Sequence, residues 1–231
     1  MGGRRGREAS SEPAAVATAR ATLVSVAPLD EPEARAWLDG ADGEEAVAAA
    51  IVILNRVLHL QRVAAADHAT REVARAQALV VRVGYGEGEQ VADGRWARAR
   101  ELPVPRARAR RDAALRPQER LSALLGSRDA ALACEELALR ARADVDAGRR
   151  REAALQLRTA LQAAVAELPP WGERGDLSAR IAELEELLPE ADAAADAALR
   201  GGVDDEVFAR AEHALGRLEA ALRARTAAGF D

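Results

Sequence analysis

Lysine is absent from this chain of 231 residues, although the chain contains 33 arginines. Isoleucine occurs three times and asparagine once, as Asn55, whereas alanine fills 58 positions. Alanine and arginine have GC-rich codons, and lysine, asparagine and isoleucine have AT-rich ones, so much of this skew indicates a GC-rich genome. Arginine richness by itself is therefore weak evidence for a nucleic-acid partner.

Cysteine and aromatic residues are scarce as well. The single cysteine, Cys134, excludes an internal disulfide framework. Because there are only six aromatic residues, the 27 leucines must supply most of the core. Alanine contributes little buried area but allows helices to approach closely and has the highest helix propensity. This composition predicts tightly crossing helices of moderate stability.

Long apolar runs are missing too. The longest, Ala46 to Leu54, has nine residues, whereas a membrane-spanning helix needs about 20. The basic N-terminus is not followed by the apolar segment of a signal peptide. We therefore expect a cytoplasmic protein without a membrane partner.

Charge is unevenly distributed around a net value of −5. Residues 95–120 carry nine arginines and three acids, and acidic regions lie on either side, at 21–94 and 171–231. Four arginines follow two prolines at the centre of the basic stretch: Arg106, Arg108, Arg110 and Arg111. In an extended segment, alternate residues share one side, so Arg106, Arg108 and Arg110 would form a row there and, with Arg111, are candidate contacts for phosphates. The alternative is that they pair with the chain's own acidic regions.

Helical periodicity begins at Asp30, which has capping-box spacing to Glu33. No glycine or proline interrupts residues 45–83, where apolar residues recur every 3.6 positions. This pattern predicts one long helix, either bent or divided in two, with Leu54 and Leu58 nearly fully buried and His59 on the opposite, solvated side. The register consists of Val47, Ile51, Leu54, Leu58, Arg62, Ala65, Ala69, Val73, Ala76, Val80 and Val83. The glycines at 84–88 should end this helix, and a shorter helix should follow through Trp96.

Two helical hairpins are predicted in the second half of the chain. The first spans 128–168 and turns at Gly148; its second helix resembles helix B of a tetratricopeptide repeat at Ala153, Leu157 and Ala160, although no 34-residue recurrence predicts a repeat array. The second hairpin turns at Gly201 and Gly202. Its return arm carries a seam with 3,4 spacing, formed by Phe208, Leu215, Leu218 and Leu222. This seam should pack on 128–168 or form an interface with another chain.

The predicted fold class is therefore all-α: helical hairpins in a bundle, with one long central helix and a C-terminal antiparallel helix pair. We divide the chain into a disordered tail and extended arm (1–29), an N-terminal helical domain (30–101), a Pro/Arg-rich linker (102–116), a central hairpin region (117–170) and an acidic C-terminal hairpin (171–231).

No catalytic or cofactor-binding pattern emerges from these residues. His59, His68, His213 and Cys134 lack metal-ligand spacing. The glycine cluster has Glu89 where a dinucleotide-binding turn needs its third glycine, and it follows a predicted helix rather than a strand. We expect no cofactor and no metal.

The sequence therefore favours a non-catalytic interaction or scaffold protein that binds another protein or a second copy of itself. A nucleic-acid-associated protein that uses residues 95–120 is the alternative, and an enzyme with an unrecognised site is the third hypothesis.

Overall fold

The computed structural model describes residues 18–26, 28–40, 43–103 and 117–229. Within these ranges the chain forms seven α-helices and one small two-stranded sheet. The all-α helical-bundle prediction is thus confirmed. The chain divides into two compact units between Pro105 and Arg106. They are called the N-terminal unit and the C-terminal unit below.

The N-terminal unit starts with helix α1, Glu31–Asp39, which the Asp30–Glu33 capping box begins as predicted. Helix α2 follows, Gly43–Ala64. The chain turns away from the helix at Ala66, which adopts φ +49° so that the Asp67 N–H can reach the Arg62 carbonyl. Such a left-handed residue is a common helix end, although glycine is the usual occupant.

The predicted continuation of this helix to residue 83 is wrong. Beyond Ala66 the chain forms a single 3₁₀ turn, Arg75–Gln77, and then strand β1, Val81–Tyr85. Strand β2, Arg98–Leu102, pairs antiparallel with β1, so that Val83 faces Arg100. The helix expected through Trp96 is also absent, because the segment between the strands forms only a 3₁₀ turn, Glu89–Val91. Val80, Val81 and Val83 are β-branched, and the backbone hydrogen bonds of a partner strand outweigh their helical spacing.

Asn55, the only asparagine of the chain, holds the segment after α2 away from the predicted helical path. Its side-chain amide donates a hydrogen bond to the Val73 carbonyl and accepts one from the Val73 N–H, both at 2.9 Å. This pair of bonds satisfies the backbone of Val73 in an extended conformation beside α2, and a helix through residue 73 could not offer the same groups. The buried core of the unit consists of Leu38, Val47, Val83 and Leu102.

The C-terminal unit contains the remaining five helices. They are α3 (Pro117–Leu125), α4 (Ala133–Asp146), α5 (Arg150–Glu167), α6 (Leu177–Leu199) and α7 (Asp205–Ala227), with a 3₁₀ turn at Pro169–Trp171 between α5 and α6. Helices α4 and α5 form one hairpin, α6 and α7 form the other, and the two pack together through α5 and α6. Both predicted hairpins are present.

Small residues dominate the core of this bundle. Twenty buried residues form its hydrophobic cluster, and eleven of them are alanine. Leucines at 157, 161, 168, 184, 215 and 218 are almost completely inaccessible. Since alanine adds little bulk, the helix backbones pack closely around these few large side chains.

Candidate interaction surface

The structure describes only one of the two predicted sets of site residues. Arg106, Arg108, Arg110 and Arg111 fall outside the described residues. The seam of α7 lies in the C-terminal unit, where α7 contacts α4, α5 and α6. Leu215 and Leu218 are buried there among the chain's own helices. The structure therefore has the first of the two predicted arrangements, docking of the seam on the 128–168 hairpin.

The outer ends of that seam are only partly covered. Phe208 is half-buried, and the Arg150 guanidinium lies over its ring at 4.9 Å. Leu222 is half-buried against the same core. Neither residue presents a broad apolar surface.

The glycine cluster lies in the sheet and the turn that follows it. Gly84 belongs to β1, where a β-carbon would overlap the Trp96 ring and the Arg98 carbonyl oxygen. The interpretation of Gly84 as the end of a helix is thus wrong. Its role is steric, because it admits the indole, whose Nε1 donates to the Val91 carbonyl at 3.1 Å.

A buried charge cluster occupies one end of the C-terminal unit. Arg225 is 2 % exposed and donates to Asp129 at 2.6 Å and to Glu135 at 3.2 Å. Arg120 completes the cluster by pairing with both acids, and the Trp171 ring lies 4.3 Å from the Arg225 guanidinium carbon. Each charge is matched, as a buried ion cluster requires. The cluster therefore joins α3, α4 and α7, and we call it the charge clamp.

Perturbed pKa values accompany this clamp. Burial alone would raise the pKa of Asp129, but the Ala130 backbone N–H and the Arg225 guanidinium outweigh it and hold the pKa below its usual value. Burial raises the pKa of the Cys134 thiol to about 12, and the Glu167 carboxylate acts in the same direction. Cys134 is therefore a protonated, inert thiol at neutral pH.

Metal-binding geometry is not found among the described residues, since no group of three or more His, Cys, Asp and Glu side chains could hold an ion there. His59 is half-buried on α2, and its Nδ1 lies 3.4 Å from Arg62 Nη2.

Helix α2 presents the most distinctive surface in the described part of the chain. Five apolar side chains along it are each between 55 and 65 % exposed: Val52, Ile53, Val57, Leu60 and Val63. At 3.6 residues per turn they fall within an arc of about 140° around the helix axis. We call this arc the α2 outer face. Between residues 52 and 63 the only charged side chain inside it is that of Arg56, and the exposed Glu45, nearly two turns before Val52, continues the same arc.

The opposite side of α2 is apolar as well. Val47 is buried, and Ile51, Leu54 and Leu58 are half-buried. The expectation that Leu54 and Leu58 are nearly fully buried is wrong, because the sheet and α1 cover this side only in part. A polar flank separates the two apolar sides and carries Glu44, Asn55, His59 and Arg62. Helix α2 thus has two apolar sides, and only one of them is covered.

By length and composition, α2 is also the one helix among the described residues that could cross a membrane, and only 6 % of its most apolar stretch is buried. Arg56, next to Asn55, lies near the middle of the helix. Arginine there costs about 2.5–3.5 kcal/mol in a bilayer. Insertion would also remove Val47 from the core that it shares with Leu38 and Val83.

Comparison with known proteins gives no relative: no family model, curated protein or solved structure matches this chain. The surface must therefore be interpreted from its own residues.

Sequence reasoning came close to the outer face without recognising it. Val52, Ile53, Val57 and Leu60 stand outside the 3.6-residue register, and their presence predicts that α2 is covered on more than one side. The covering element is not found among the described residues of the N-terminal unit. The sequence thus indicated a second apolar side of α2. It did not indicate which side would lack a partner, because that depended on the pairing of β1 with β2, which the helical spacing of the apolar residues did not predict.

Proposed function

We propose that this chain is a non-catalytic interaction protein that binds another protein through the α2 outer face. The observation that carries the proposal is the run of five apolar side chains, each more than half exposed, on a single helix. Contiguous apolar patches of a few hundred Å² on soluble proteins commonly mark interaction sites. The partner we propose is an apolar helix face, because a helix offers the regular ridges that fit between these side chains.

The difference between the two units supports this assignment. The C-terminal unit has a cluster of twenty buried residues, whereas four residues form the cluster of the N-terminal unit. A partner that covers the α2 outer face would add apolar burial to the unit that has the least. The C-terminal unit is then the stable scaffold, and the N-terminal unit is the part that binds.

The chemistry of the face favours protein over nucleic acid. Phosphate binding requires clustered Lys or Arg, and Arg56 is the single cation on the face. Arg100, from the basic stretch 95–120, donates to the Gly40 carbonyl at 2.7 Å and so contributes to holding the N-terminal unit together. The nucleic-acid alternative rests on Arg106, Arg108, Arg110 and Arg111.

Site-specific photo-crosslinking tests the proposal. A benzophenone amino acid replaces Val57 in the full chain, and the same amino acid at Leu139, an exposed leucine of α4, serves as the matched control. In lysate of the source organism we expect one dominant protein adduct from position 57 that position 139 does not give. The purified partner should then bind the chain, and Val57→Asp should weaken that binding at least tenfold. Adducts shared equally by both positions, or adducts with lipid alone, would contradict the proposal.

A further inference from the structure

Helix α3 is the helix of the C-terminal unit that the apolar core does not hold. In the described part of the chain, the hydrophobic cluster of this unit and the half-buried side chains packed against it include no residue of α3. Helices α4 to α7 pack along one another, whereas α3 touches other elements only at isolated points. Ala123 is completely buried, but Leu121 and Leu125 are at least half exposed. Burial of one alanine contributes little, so other interactions must hold α3 in place.

Charge holds α3 to the bundle through Arg120. Its Nη2 donates to the Glu135 Oε1 at 2.5 Å, and its Nε donates to the Asp129 Oδ2 at 3.3 Å. Both acids belong to the charge clamp and are also paired with Arg225. The Arg120 side chain is 23 % exposed, whereas that of Arg225 is 2 % exposed. Water and salt therefore reach the ion pairs of Arg120 far more readily than those of Arg225.

The two acids keep partners when Arg120 departs. Arg225 still donates to Asp129 and to Glu135, and each carboxylate also accepts a backbone N–H from its own loop. Breaking a buried ion pair is costly mainly because it leaves an unpaired charge behind. Release of α3 leaves both carboxylates of the clamp with a partner, so this large cost does not apply to it.

The joint that follows α3 is strained. Ser127 adopts φ +56°, a left-handed conformation that residues other than glycine rarely take. It is held there because the N–H groups of Arg128 and Asp129 both donate to the Ala123 carbonyl near the end of α3. Unwinding of α3 breaks these bonds and allows Ser127 to relax. Since a helix of nine residues is not stable in isolation, a released α3 unfolds.

We infer that α3 is a releasable strap, which ion pairs hold on the C-terminal unit and which unfolds while α4 to α7 stay folded. Its position gives this release a consequence, because α3 is the first described helix after the boundary between the two units. Its nine residues span about 14 Å as a helix and about 30 Å when extended, so release lengthens the connection between the units by up to about 16 Å. The inference does not depend on the proposed function.

Hydrogen exchange of the full chain, followed by mass spectrometry, tests whether α3 opens separately from the bundle. Amides 121–126 report on α3, because they lie beyond the first helical turn and donate within the helix. At about 50 mM sodium chloride they should be protected, yet exchange at least about tenfold faster than the amides of α4 and α5. At about 1 M they should exchange at least about threefold faster still, with α4 and α5 unchanged, because salt screens the Arg120 ion pairs.

Arg120→Gln tests whether charge holds the strap. Exchange at 121–126 should become at least about tenfold faster, because the bonds to two carboxylates lose their charged donor. The urea midpoint of the bundle should stay close to that of the unchanged chain, whereas Arg225→Met should lower it. Arg140→Gln is the matched control, because it removes an exposed ion pair with Glu136 on α4. It should change neither the exchange of α3 nor the midpoint.

Four results would overturn the inference. Protection of α3 equal to that of α4 would show that the two helices open together, and exchange at the rate of an unstructured peptide in low salt would show that nothing holds α3. Equal effects of Arg120→Gln and Arg140→Gln, or a urea midpoint lowered as far as by Arg225→Met, would place Arg120 among the contacts of the whole bundle. The salt series needs no substitution, so an α3 that does not respond to salt in the unchanged chain also overturns the strap.

Discussion

Arg225 and Asp129 lie 96 positions apart in the sequence, yet the Arg225 Nη2 donates to the Asp129 Oδ1 at 2.6 Å. Their side chains are 2 % and 5 % exposed. The pair joins the last turns of α7 to the loop before α4, and so closes the helical bundle of the C-terminal unit across nearly its full sequence length.

Arg225→Met should therefore destabilise the C-terminal unit strongly. The substitution leaves Asp129 and Glu135 buried with less compensation, and removal of one partner from a buried ion pair costs about 3–5 kcal/mol. Arg223→Met is the matched control on the same helix, because the Arg223 side chain is 56 % exposed and makes only a long ion pair with Glu219, at 4.0 Å. The control substitution should cost less than about 1 kcal/mol. Urea denaturation followed by circular dichroism at 222 nm measures both. Equal midpoints would show that the clamp contributes little.

Acid should weaken the same clamp. The pKa of Asp129 is lowered in the folded chain, because the Ala130 N–H and Arg225 outweigh the effect of burial. A lowered folded pKa gives stability that is fully present above the unfolded value, near 3.8, and is lost as the pH falls through the folded value. Asp129→Asn should thus reduce stability at pH 7 but make the loss between pH 5 and pH 2.5 smaller. Asp192→Asn, at an exposed position of α6, should keep the full acid dependence.

Cys134 should resist thiol reagents in the folded protein. Its pKa of about 12 leaves almost no thiolate at pH 8, and the side chain is completely inaccessible. Ellman's reagent should therefore release no colour until urea unfolds the C-terminal unit, after which one equivalent should react. Leu139→Cys provides the comparison, because the new thiol on the surface of α4 should react within minutes. Rapid labelling of the native chain at Cys134 would mean that α4 and α5 open frequently.

Two glycine-to-alanine changes should have opposite effects. Gly84→Ala places a β-carbon against the Trp96 ring and the Arg98 carbonyl, and overpacking of this kind costs about 1–3 kcal/mol. Gly216→Ala lies inside α7 with no neighbour near the new atom. It should stabilise the C-terminal unit by about 0.5–1 kcal/mol, because alanine is the better helix former. Tryptophan fluorescence during urea denaturation follows the first, and circular dichroism follows the second. If the Gly84→Ala chain has unchanged stability, then Gly84 does not have the steric role described above.

Local chemistry predicted the helical hairpins well. The bend at Gly148, the Gly201–Gly202 turn and the capping residues Asp30 and Glu33 are signals that each act within a few positions. They predicted the helices because a helix satisfies its hydrogen bonds within its own segment. The burial of Leu215 and Leu218 followed from the 3,4 spacing for the same reason.

The sheet could not be predicted in this way. Val80 and Val83 continue the helical spacing of α2, and the strand Arg98–Leu102 that pairs with Val81–Tyr85 has no apolar alternation of its own. Asn55, which fixes Val73 in an extended conformation, acts across 18 residues. The α2 outer face depends on where α2 ends. A helix running to residue 83 would bury its apolar residues as a core stripe, whereas a helix ending at Ala64 leaves one side of α2 exposed.

The eleven alanines in the core of the C-terminal unit determine which kinds of sequence change this bundle can tolerate. Truncation to alanine is the usual way of finding important core positions. It cannot test eleven of the twenty positions in this core, because they are already alanine. Enlargement does have a measurable effect, because Ala141, Ala160 and Ala214 are completely inaccessible and a larger side chain there must displace the atoms packed around it. Sequence variation in such a bundle should therefore be limited by volume gained rather than by volume lost, with glycine tolerated where valine is not.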